Sequence, residues 1–352
     1  MVICPICDKR KNSILASIST AEFDQSLLYN NITVLICDNC GHVFNRLSEN
    51  EKTNLFKYYQ DEYAPTNLAN TSSNSDRPGS NNAYSIARYE QLYTILKNYI
   101  PSTDIKILDI GCATGGFLHY LESKGYIHLC GIDITDDYVN LASKFKSDEI
   151  EFKKGFADNI PYNNNYFDII VIDQVFEHCI DLHKTFEEIQ RVIKPSGILC
   201  VGIPNAAAYQ QQLFFEYYWF LLREHIHHFS AKTFEQLARH HGFRQLITKQ
   251  LNTSMLGEIV MLPNLISIFF ADNSEKLTSY KNDSMLKKSL LSYLSTSEHK
   301  SLTRKKAFTT HIQKATPLAF WGIGREFLYL YEKLQLSKYN ISMLLDTNPF
   351  KQ

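Results

Sequence analysis

The sequence lacks an apolar run long enough to span a bilayer, and it has almost no net charge. Its longest apolar stretches, 213–222 and 259–270, fall short of the ~20 residues that a transmembrane helix needs. The 36 basic and 37 acidic side chains leave a net charge of −1, which gives no basic surface for nucleic acid. No basic stretch followed by an apolar run marks a signal peptide at the N-terminus. We therefore expect a cytoplasmic protein that binds neither membranes nor nucleic acid.

The length and composition indicate a globular protein of two or three domains. The chain has 352 residues, of which 44% are hydrophobic and 21% are charged. Ordinary domains have about 100–200 residues, and the hydrophobic fraction excludes a wholly disordered chain.

Four of the eight cysteines have the spacing of a metal site. Cys4, Cys7, Cys37 and Cys40 form two C-x-x-C pairs, and Gly41 after the second pair permits a tight turn. Four thiolates favour tetrahedral zinc, and such a closed site is structural because it has no position for a substrate. A redox pair is the alternative interpretation. The other cysteines lie in apolar or glycine-rich segments and are expected to pack as small apolar residues.

Strands and helices alternate through the middle of the chain, which predicts a mostly parallel sheet with helices on both faces. A polar tract at 67–82 precedes this part and is expected to be a linker. The aromatic run 213–222 has three interpretations: a helix buried against the core, a helix at a dimer interface, or a lid over a cleft. The predicted strands are 106–110, 128–133, 167–172 and 197–202, and the predicted helices are 83–100, 116–123, 136–145 and 182–193.

The predicted organisation has five parts. Near the C-terminus, a strand at 318–321, a helix at 325–334 and a strand at 341–345 resemble one βαβ unit. The parts are a zinc ribbon at 1–47, a Tyr-rich segment with the polar linker and a lead-in helix at 48–100, a cofactor-binding core at 101–250, a helical connector at 251–315, and a partial Rossmann-like unit at 316–352.

A glycine-rich turn carries the main functional signal. The predicted strand 106–110 leads into Gly111-Cys112-Ala113-Thr114-Gly115-Gly116, which opens a helix. Asp133, 22 residues after Gly111, follows the next strand, where a carboxylate can bind both ribose hydroxyls. A dinucleotide and an adenosyl ligand both fit this pattern. Asp109 favours S-adenosylmethionine, because a carboxylate attracts its ammonium group and would repel a pyrophosphate.

These residues resemble class I S-adenosylmethionine-dependent methyltransferases over about 105–245. The resemblance includes the turn, Gly131-Ile132-Asp133, the segments 155–162 and 167–170, and the later segments 173–178 and 193–199. It implies a Rossmann-like, doubly wound sheet. One departure is Phe156, because the family often has an acidic residue at this position that binds the adenine amino group. Two alternatives replace that contact: Asp158 binds the amino group, or Phe156 stacks on the adenine ring. The resemblance implies these cofactor-binding residues: Asp109, Gly111, Cys112, Ala113, Thr114, Gly115, Gly116, Asp133, Ile134, Ala157, Asp158, Asp173 and Gln174.

The segment after the aromatic run offers a base for proton abstraction. Glu224-His225 is followed by His227 and His228, and histidine is the natural base near neutral pH. For each of these histidines, an ordinary surface or core histidine is the alternative. A metal site formed by the three histidines is disfavoured, because no further ligand stands at helical spacing.

The whole layout narrows the resemblance to sugar C-methyltransferases that act on nucleotide-linked keto sugars. In that family a Glu-His pair at this place abstracts the proton beside the keto group, which implies Glu224 and His225 here. The family also implies that N-terminal tyrosines form the sugar pocket, so Tyr58, Tyr59 and Tyr63 are candidates. The sequence departs from the family pattern in three places. Leu222 stands where an aromatic residue is usual, and segment 253–257 replaces a His-Gly-Gly-Ser-like stretch. The last unit ends earlier than it does in the family.

We therefore expect a methyltransferase with a small-molecule acceptor, for which a nucleotide sugar is the expected class, and with S-adenosylmethionine and structural Zn²⁺ as cofactors. Alternatives are an O- or N-methyltransferase of another metabolite, or a non-catalytic scaffold that binds the cofactor. A nicotinamide oxidoreductase using Gly322-Ile323-Gly324 and Asp346 is disfavoured, because a lone Gly-x-Gly lacks the third glycine of the dinucleotide motif.

Overall fold

A computed structural model of the protein describes residues 2–21, 26–69, 79–144, 147–211, 218, 220–255, 260–272 and 276–346. Three predicted features lie wholly or partly outside these residues: most of the aromatic run (212–217 and 219), most of the polar linker (70–78), and the last six residues (347–352).

The N-terminal part is a small antiparallel sheet. It contains β1 (Asn12–Ser19), β2 (Asn31–Cys37) and β3 (Val43–Asn45), and each strand pairs with the next. The two cysteine pairs lie before β1 and at the turn between β2 and β3. A short strand from much later in the chain, His227–His228, pairs with β3 and completes the sheet. The N-terminal unit is therefore joined by hydrogen bonds to the segment that follows Glu224 and His225.

A helical segment leads from this sheet towards the core. Helix α1 (Glu49–Lys57) begins with a capping box in which Ser48 and Glu51 each bond the other's backbone amide, which satisfies two amides that the first turn leaves free. A π-helical turn (Tyr58–Tyr63) follows directly and leads into α2 (Ala64–Ala69). A π turn shifts the side chains that follow it relative to an α-helix, and this one carries all three tyrosines predicted for the sugar pocket.

The core is a seven-stranded sheet, and its mostly parallel arrangement confirms the predicted Rossmann-like fold. In spatial order, β6, β5, β4, β7 and β8 are parallel, and β11 and β10 follow antiparallel at the edge. The strands are β4 (Lys106–Ile110), β5 (His128–Asp133), β6 (Ile150–Lys154), β7 (Phe167–Asp173), β8 (Ile193–Pro204), β10 (Phe243–Met255) and β11 (Val260–Ala271); the two-residue strand at 227–228 is β9.

Helices cover both faces of this sheet. Alternate residues of β4 point to opposite sides, so Leu108 belongs to one buried cluster and Ile107 to the other. One face packs against α3 (Ala83–Leu96) and α4 (Gly116–Glu122), and the other packs against α6 (Leu182–Val192) and α7 (Ala231–His240). Helix α5 (Asp136–Ala142) follows β5.

The structure corrects the predicted boundary at residue 250. Strand β10 crosses that boundary, and β11 lies inside the segment predicted to be a helical connector. The run 260–271 is rich in Ile and Phe and pairs with β10 on one side and β8 on the other, so its apolar residues are buried as a strand. Among the described residues of this segment, helical structure begins with α8 (Ser284–His311).

The C-terminal unit has the predicted strand, helix and strand. They are β12 (Leu318–Trp321), α9 (Arg325–Leu334) and β13 (Ile341–Leu345), and the two strands are parallel. Among the helices within the described ranges, none is both long and apolar enough to cross a membrane.

Candidate active site

A cavity of about 1020 Å³ opens at the carboxyl ends of the parallel strands. In open α/β sheets, ligands bind at this edge because the loops that follow the strands meet there. The turn after β4 and residues following β5 and β7 line the cavity, together with residues of α1, the π turn and loop 222–225. The cavity is therefore lined by both the predicted cofactor residues and the predicted base.

The glycine-rich turn has the backbone that close ligand approach requires. Gly111 has a φ of +76°, and a Cβ there would lie 2.4 Å from Cγ2 of Val175, so glycine is required both by conformation and by space. The amides of Gly111 and Cys112 both donate to the carbonyl of Ile132, at 2.8 and 3.0 Å. The amide of Ala113 donates to Oδ2 of Asp133 at 2.9 Å. These bonds tie the turn to the end of β5.

Ten of the thirteen residues predicted to bind the cofactor line this cavity, and three do not. Thr114, Gly115 and Gly116, the last three residues of the turn, are not among the lining residues. A Cβ on Gly116 would lie 2.1 Å from the carbonyl oxygen of Gly79, so this glycine lets the segment at Gly79 approach the start of α4. The ten that line the cavity are Asp109, Gly111, Cys112, Ala113, Asp133, Ile134, Ala157, Asp158, Asp173 and Gln174.

Three carboxylates converge on the predicted cofactor side. Burial, Asp173 and Asp133 raise the pKa of Asp109 well above its ordinary value. The pKa of Asp133 is also raised by burial, although it accepts hydrogen bonds from the backbone amides of Ala113 and Thr135. Asp173 is paired with Arg88, whose Nε donates to Oδ2 at 2.8 Å. A positively charged ligand would relieve the repulsion between Asp109 and the neighbouring carboxylates. The three carboxylates therefore fit the ammonium and sulfonium groups of S-adenosylmethionine.

Both residues considered for the adenine position line the same cavity. The ring of Phe156 stacks on the ring of Phe56 in α1, with centroids 5.5 Å apart. The carboxylate of Asp158 lies 3.7 Å from Nζ of Lys184. An aromatic surface and a carboxylate acceptor are thus both present, and the two alternatives for adenine recognition stay open.

The predicted base lies in a network of polar side chains that line the same cavity. The rings of His225 and His178 meet edge to face, with centroids 4.7 Å apart. Nδ1 of His178 lies 2.9 Å from the carbonyl oxygen of Glu224, and a carbonyl only accepts, so this nitrogen carries the proton. The hydroxyl of Tyr59 is 2.7 Å from the same nitrogen, and the hydroxyl of Tyr58 donates to the Glu224 carboxylate at 3.4 Å.

Burial keeps the tyrosines and His178 neutral. It raises the pKa values of Tyr58, Tyr59 and Tyr63 well above the ordinary tyrosine value, and it lowers the pKa of His178. The tyrosines therefore remain O–H donors at neutral pH, and His178 is an uncharged imidazole.

Glu177 is a functional candidate that sequence reasoning did not single out. Its side chain is 1% exposed, and it lines the cavity. Neither carboxylate oxygen has a hydrogen-bond partner among the described residues, and burial raises its pKa to about 8. One ligand atom each from Glu177, His178 and His225 lies within 4.8 Å of the others, so these residues could also hold a metal ion. The signal in the sequence was an acid beside a histidine after an apolar strand.

His227 and His228 lie away from the cavity wall. They form β9, and both are buried. Burial lowers the pKa of His227 to about 4 and that of His228 to about 3. Nε2 of His227 donates to the carbonyl of Cys179 at 2.9 Å, and Nε2 of His228 donates to Oδ1 of Asn45 at 3.3 Å. These are core histidines that join the N-terminal sheet to the rest of the chain.

The four predicted zinc ligands come together. Cys4, Cys7, Cys37 and Cys40 are buried, none forms a disulfide, and their sulfur atoms lie within 4.8 Å of one another. The Cys4–Cys40 and Cys7–Cys37 sulfur pairs are 3.6 and 3.5 Å apart. A tetrahedral zinc site with bonds of about 2.3 Å places its sulfurs about 3.8 Å apart, so the geometry fits zinc.

Comparisons with known proteins agree with this geometry. The model of a family described as a methyltransferase domain matches residues 67–248, just over half of the chain. A sterol 24-C-methyltransferase of Gibberella zeae is 30% identical over 121 residues, which cover 33% of this chain and 31% of that protein. A ubiquinone/menaquinone biosynthesis C-methyltransferase of Campylobacter jejuni is 32% identical over 104 residues, which cover 28% and 44%. The chain thus spans less than half the length of these curated relatives.

The chain is also similar to solved structures. An S-adenosylmethionine-dependent methyltransferase from Mesorhizobium loti is 15% identical, with a TM-score of 0.43, and the match covers 52% of this chain and 97% of that one.

Proposed function

Because the chain belongs to the methyltransferase domain family, we propose that it transfers a methyl group from S-adenosylmethionine to a carbon atom of a small molecule, and that this acceptor is a nucleotide-linked keto sugar. The family match confirms the prediction of an S-adenosylmethionine-dependent methyltransferase domain. The observation that carries the proposal is that Asp109, Asp133, Glu224 and His225 line the same cavity.

The cofactor side of the cavity would hold S-adenosylmethionine through charge and shape. Bound there, the cofactor supplies an electrophilic methyl group on a sulfonium sulfur. Asp109 faces the cavity from the end of β4 and would attract the ammonium group, and Asp133 at the end of β5 would accept the ribose hydroxyls. The open backbone at Gly111 lets a ligand approach the main chain.

The acceptor side supplies a base and hydroxyl donors. His225 would accept the proton from the carbon beside the keto group, leaving the electron pair on that carbon as an enolate. Tyr58 and Tyr59 would keep the Glu224 loop in place, because their hydroxyls donate to the carboxylate and to the backbone carbonyl of Glu224, each at 3.4 Å. A neutral tyrosine hydroxyl is a suitable donor to an enolate oxygen, because it stabilises charge that develops there.

A panel of acceptors tests this proposal. The purified chain, S-adenosylmethionine and one acceptor at a time are incubated, and S-adenosylhomocysteine and the methylated product are measured by mass spectrometry. We expect product with a nucleotide-linked keto sugar and none with the matched sugar in which the keto group is reduced to a hydroxyl. Equal methylation of the two sugars would instead favour O-methylation. The absence of turnover with every acceptor, despite cofactor binding, would favour the scaffold alternative.

We also propose that the four-cysteine cluster holds a structural zinc ion. The support is the pair of sulfur distances near those of a tetrahedral site and the two cysteine turns. In one of them the amide of Gly41, at a φ of +79°, donates to the carbonyl of Cys37 at 2.9 Å. A closed set of four thiolates stabilises the N-terminal sheet and leaves no position for a substrate. The zinc content of the wild type and of Cys37→Ser tests this site.

A further inference from the structure

Three histidines from two helices meet outside the cavity, next to the loop that carries Cys7. His183 lies in the first turn of α6, and His240 and His241 lie at the end of α7. One ring nitrogen of each lies within 4.8 Å of those of the other two. Nδ1 of His183 is 2.8 Å from Nε2 of His241. Packing of α6 beside α7 therefore brings His183 to a pair of adjacent histidines that lies 57 and 58 positions later in the sequence.

The outer nitrogens of two of these rings face acceptors. Nδ1 of His240 donates to the carbonyl oxygen of Leu277 at 3.2 Å, which leaves Nε2 unprotonated. Nε2 of His183 is 3.7 Å from the carboxylate of Asp8 and has no hydrogen-bond partner within the described ranges. Histidines that bind metals commonly donate the second ring nitrogen to a carbonyl or a carboxylate, which fixes the ring and its tautomer.

Two features of the surroundings favour a cation, and they act against the positive charge of Lys276 near His241. Helix α7 ends at His240, and the carbonyl groups at a helix C-terminus carry a partial negative charge that favours positive charge nearby. The ring of His241 stacks on Phe186, with centroids 5.0 Å apart and an angle of 7° between the planes. This stacking fixes the direction of the His241 nitrogen without taking up its lone pair.

We propose that His183, His240 and His241 form a second metal site, which binds a divalent transition-metal ion such as zinc. The ligands are Nδ1 of His183 and Nε2 of the other two, with solvent in the fourth position. Imidazole suits zinc, copper and nickel. Zinc–nitrogen bonds of about 2.0–2.1 Å place the ligand nitrogens about 3.4 Å apart, between the 2.8 Å contact and the 4.8 Å limit. The ion joins α6 to α7, and the carboxylate of Asp8 connects it to the four-cysteine loop.

Zinc content of the full-length chain tests this proposal. Wild type, His183→Asn, His240→Asn and the control His299→Asn, an exposed position on α8, are loaded with zinc chloride, dialysed and analysed by mass spectrometry of the metal. We expect His183→Asn and His240→Asn to hold one zinc fewer per chain than wild type, and His299→Asn to hold the same number. Equal zinc content in wild type, His183→Asn and His240→Asn would overturn the proposal.

Ligand identity gives a second test that is independent of the absolute count. X-ray absorption at the zinc edge of the wild type should show nitrogen ligands, and these should be lost in His183→Asn. A wild-type spectrum with sulfur ligands alone would overturn the second site. Cys37→Ser separates the two sites: we expect it to lose sulfur ligands and retain nitrogen ligands, and retention of zinc with sulfur ligands alone would again contradict the proposal.

Discussion

Nδ1 of His178 donates a hydrogen bond to the backbone carbonyl of Glu224 at 2.9 Å. This bond joins the loop after β7, which belongs to the parallel core, to the loop that carries the predicted base. His225 is therefore positioned by the core and by Tyr59, whose hydroxyl lies 2.7 Å from the same nitrogen. The acceptor side of the cavity is fixed by contacts between segments that are 46 and 119 residues apart in the chain.

Replacing Asp109 with Asn should weaken cofactor binding. The substitution keeps the size of the side chain and removes the charge that would attract the ammonium group. Losing a hydrogen bond to a charged group costs about 1.5–3 kcal/mol, so the dissociation constant for S-adenosylmethionine should rise about 10- to 100-fold in calorimetry. The exposed Asp104→Asn is the control and should bind like the wild type. Unchanged affinity in Asp109→Asn would remove this residue from the cofactor site.

A methyl group on Gly111 should destabilise the fold through both strain and a clash. Gly111→Ala forces an alanine to a φ of +76° and places Cβ 2.4 Å from Val175. Left-handed strain costs about 1–2 kcal/mol, and overpacking adds about 1–3 kcal/mol. Gly125→Ala is a matched control, with a φ of +91° and its nearest atom at 4.0 Å. Urea unfolding should show a loss about 2 kcal/mol larger for Gly111→Ala; equal losses would contradict the steric argument.

Removing the hydroxyl of Tyr59 should slow turnover without affecting the cofactor. Tyr59→Phe keeps the ring and loses the 2.7 Å contact to His178. One hydrogen bond is worth about 1 kcal/mol, so the rate should fall by about 5- to 10-fold. Tyr339→Phe in the C-terminal unit is the control and should keep the wild-type rate. If Tyr59→Phe also keeps that rate, the hydroxyl does not position the base.

Acid should destabilise the protein through its buried histidines. The folded chain holds His227 and His228 neutral down to pH values of about 4 and about 3, whereas the unfolded chain protonates them near pH 6.5. Because the unfolded state then binds more protons, stability is fully present above pH 6.5 and falls as the pH is lowered towards these values.

The comparison of His228→Asn with the wild type isolates one of these groups. Each histidine contributes about 1.4 kcal/mol per pH unit, so between pH 6.5 and 4.5 the wild type should lose about 3 kcal/mol more than the variant in urea unfolding. Parallel pH profiles for the two proteins would show that His228 does not titrate in this way.

Local patterns predicted four of the five parallel strands, because each of those four is an apolar run next to a turn signal. The fifth, β6 (Ile150–Lys154), was missed because three of its five residues are charged. Four strands and the helices between them stand where the sequence placed them, with ends that differ by a few residues. Strand β10 was missed because its sequence, from Phe243 to Met255, is largely polar and lies at the edge of the sheet. Pairing with β11 stabilises it, and such pairing depends on contacts distant in sequence.

Contacts between residues distant in sequence also limited the prediction of the sites. The four cysteines are visible as a site because their spacing is regular. Glu177 and His178 stood within a recognised segment, but only the fold shows that the carboxylate is buried beside His225. His183 and His241 are 58 positions apart, and no periodic pattern connects them. Tertiary packing, which the sequence does not display, creates these clusters.

The most direct test of the account is His225→Asn, studied with S-adenosylmethionine and the accepted sugar. A general base contributes about 10²- to 10⁴-fold to the rate. We predict that the variant binds the cofactor within about twofold of the wild-type affinity and loses at least about 100-fold in turnover, whereas His299→Asn on α8 keeps both. Wild-type turnover in His225→Asn would contradict the assignment of His225 as the base that makes methyl transfer possible.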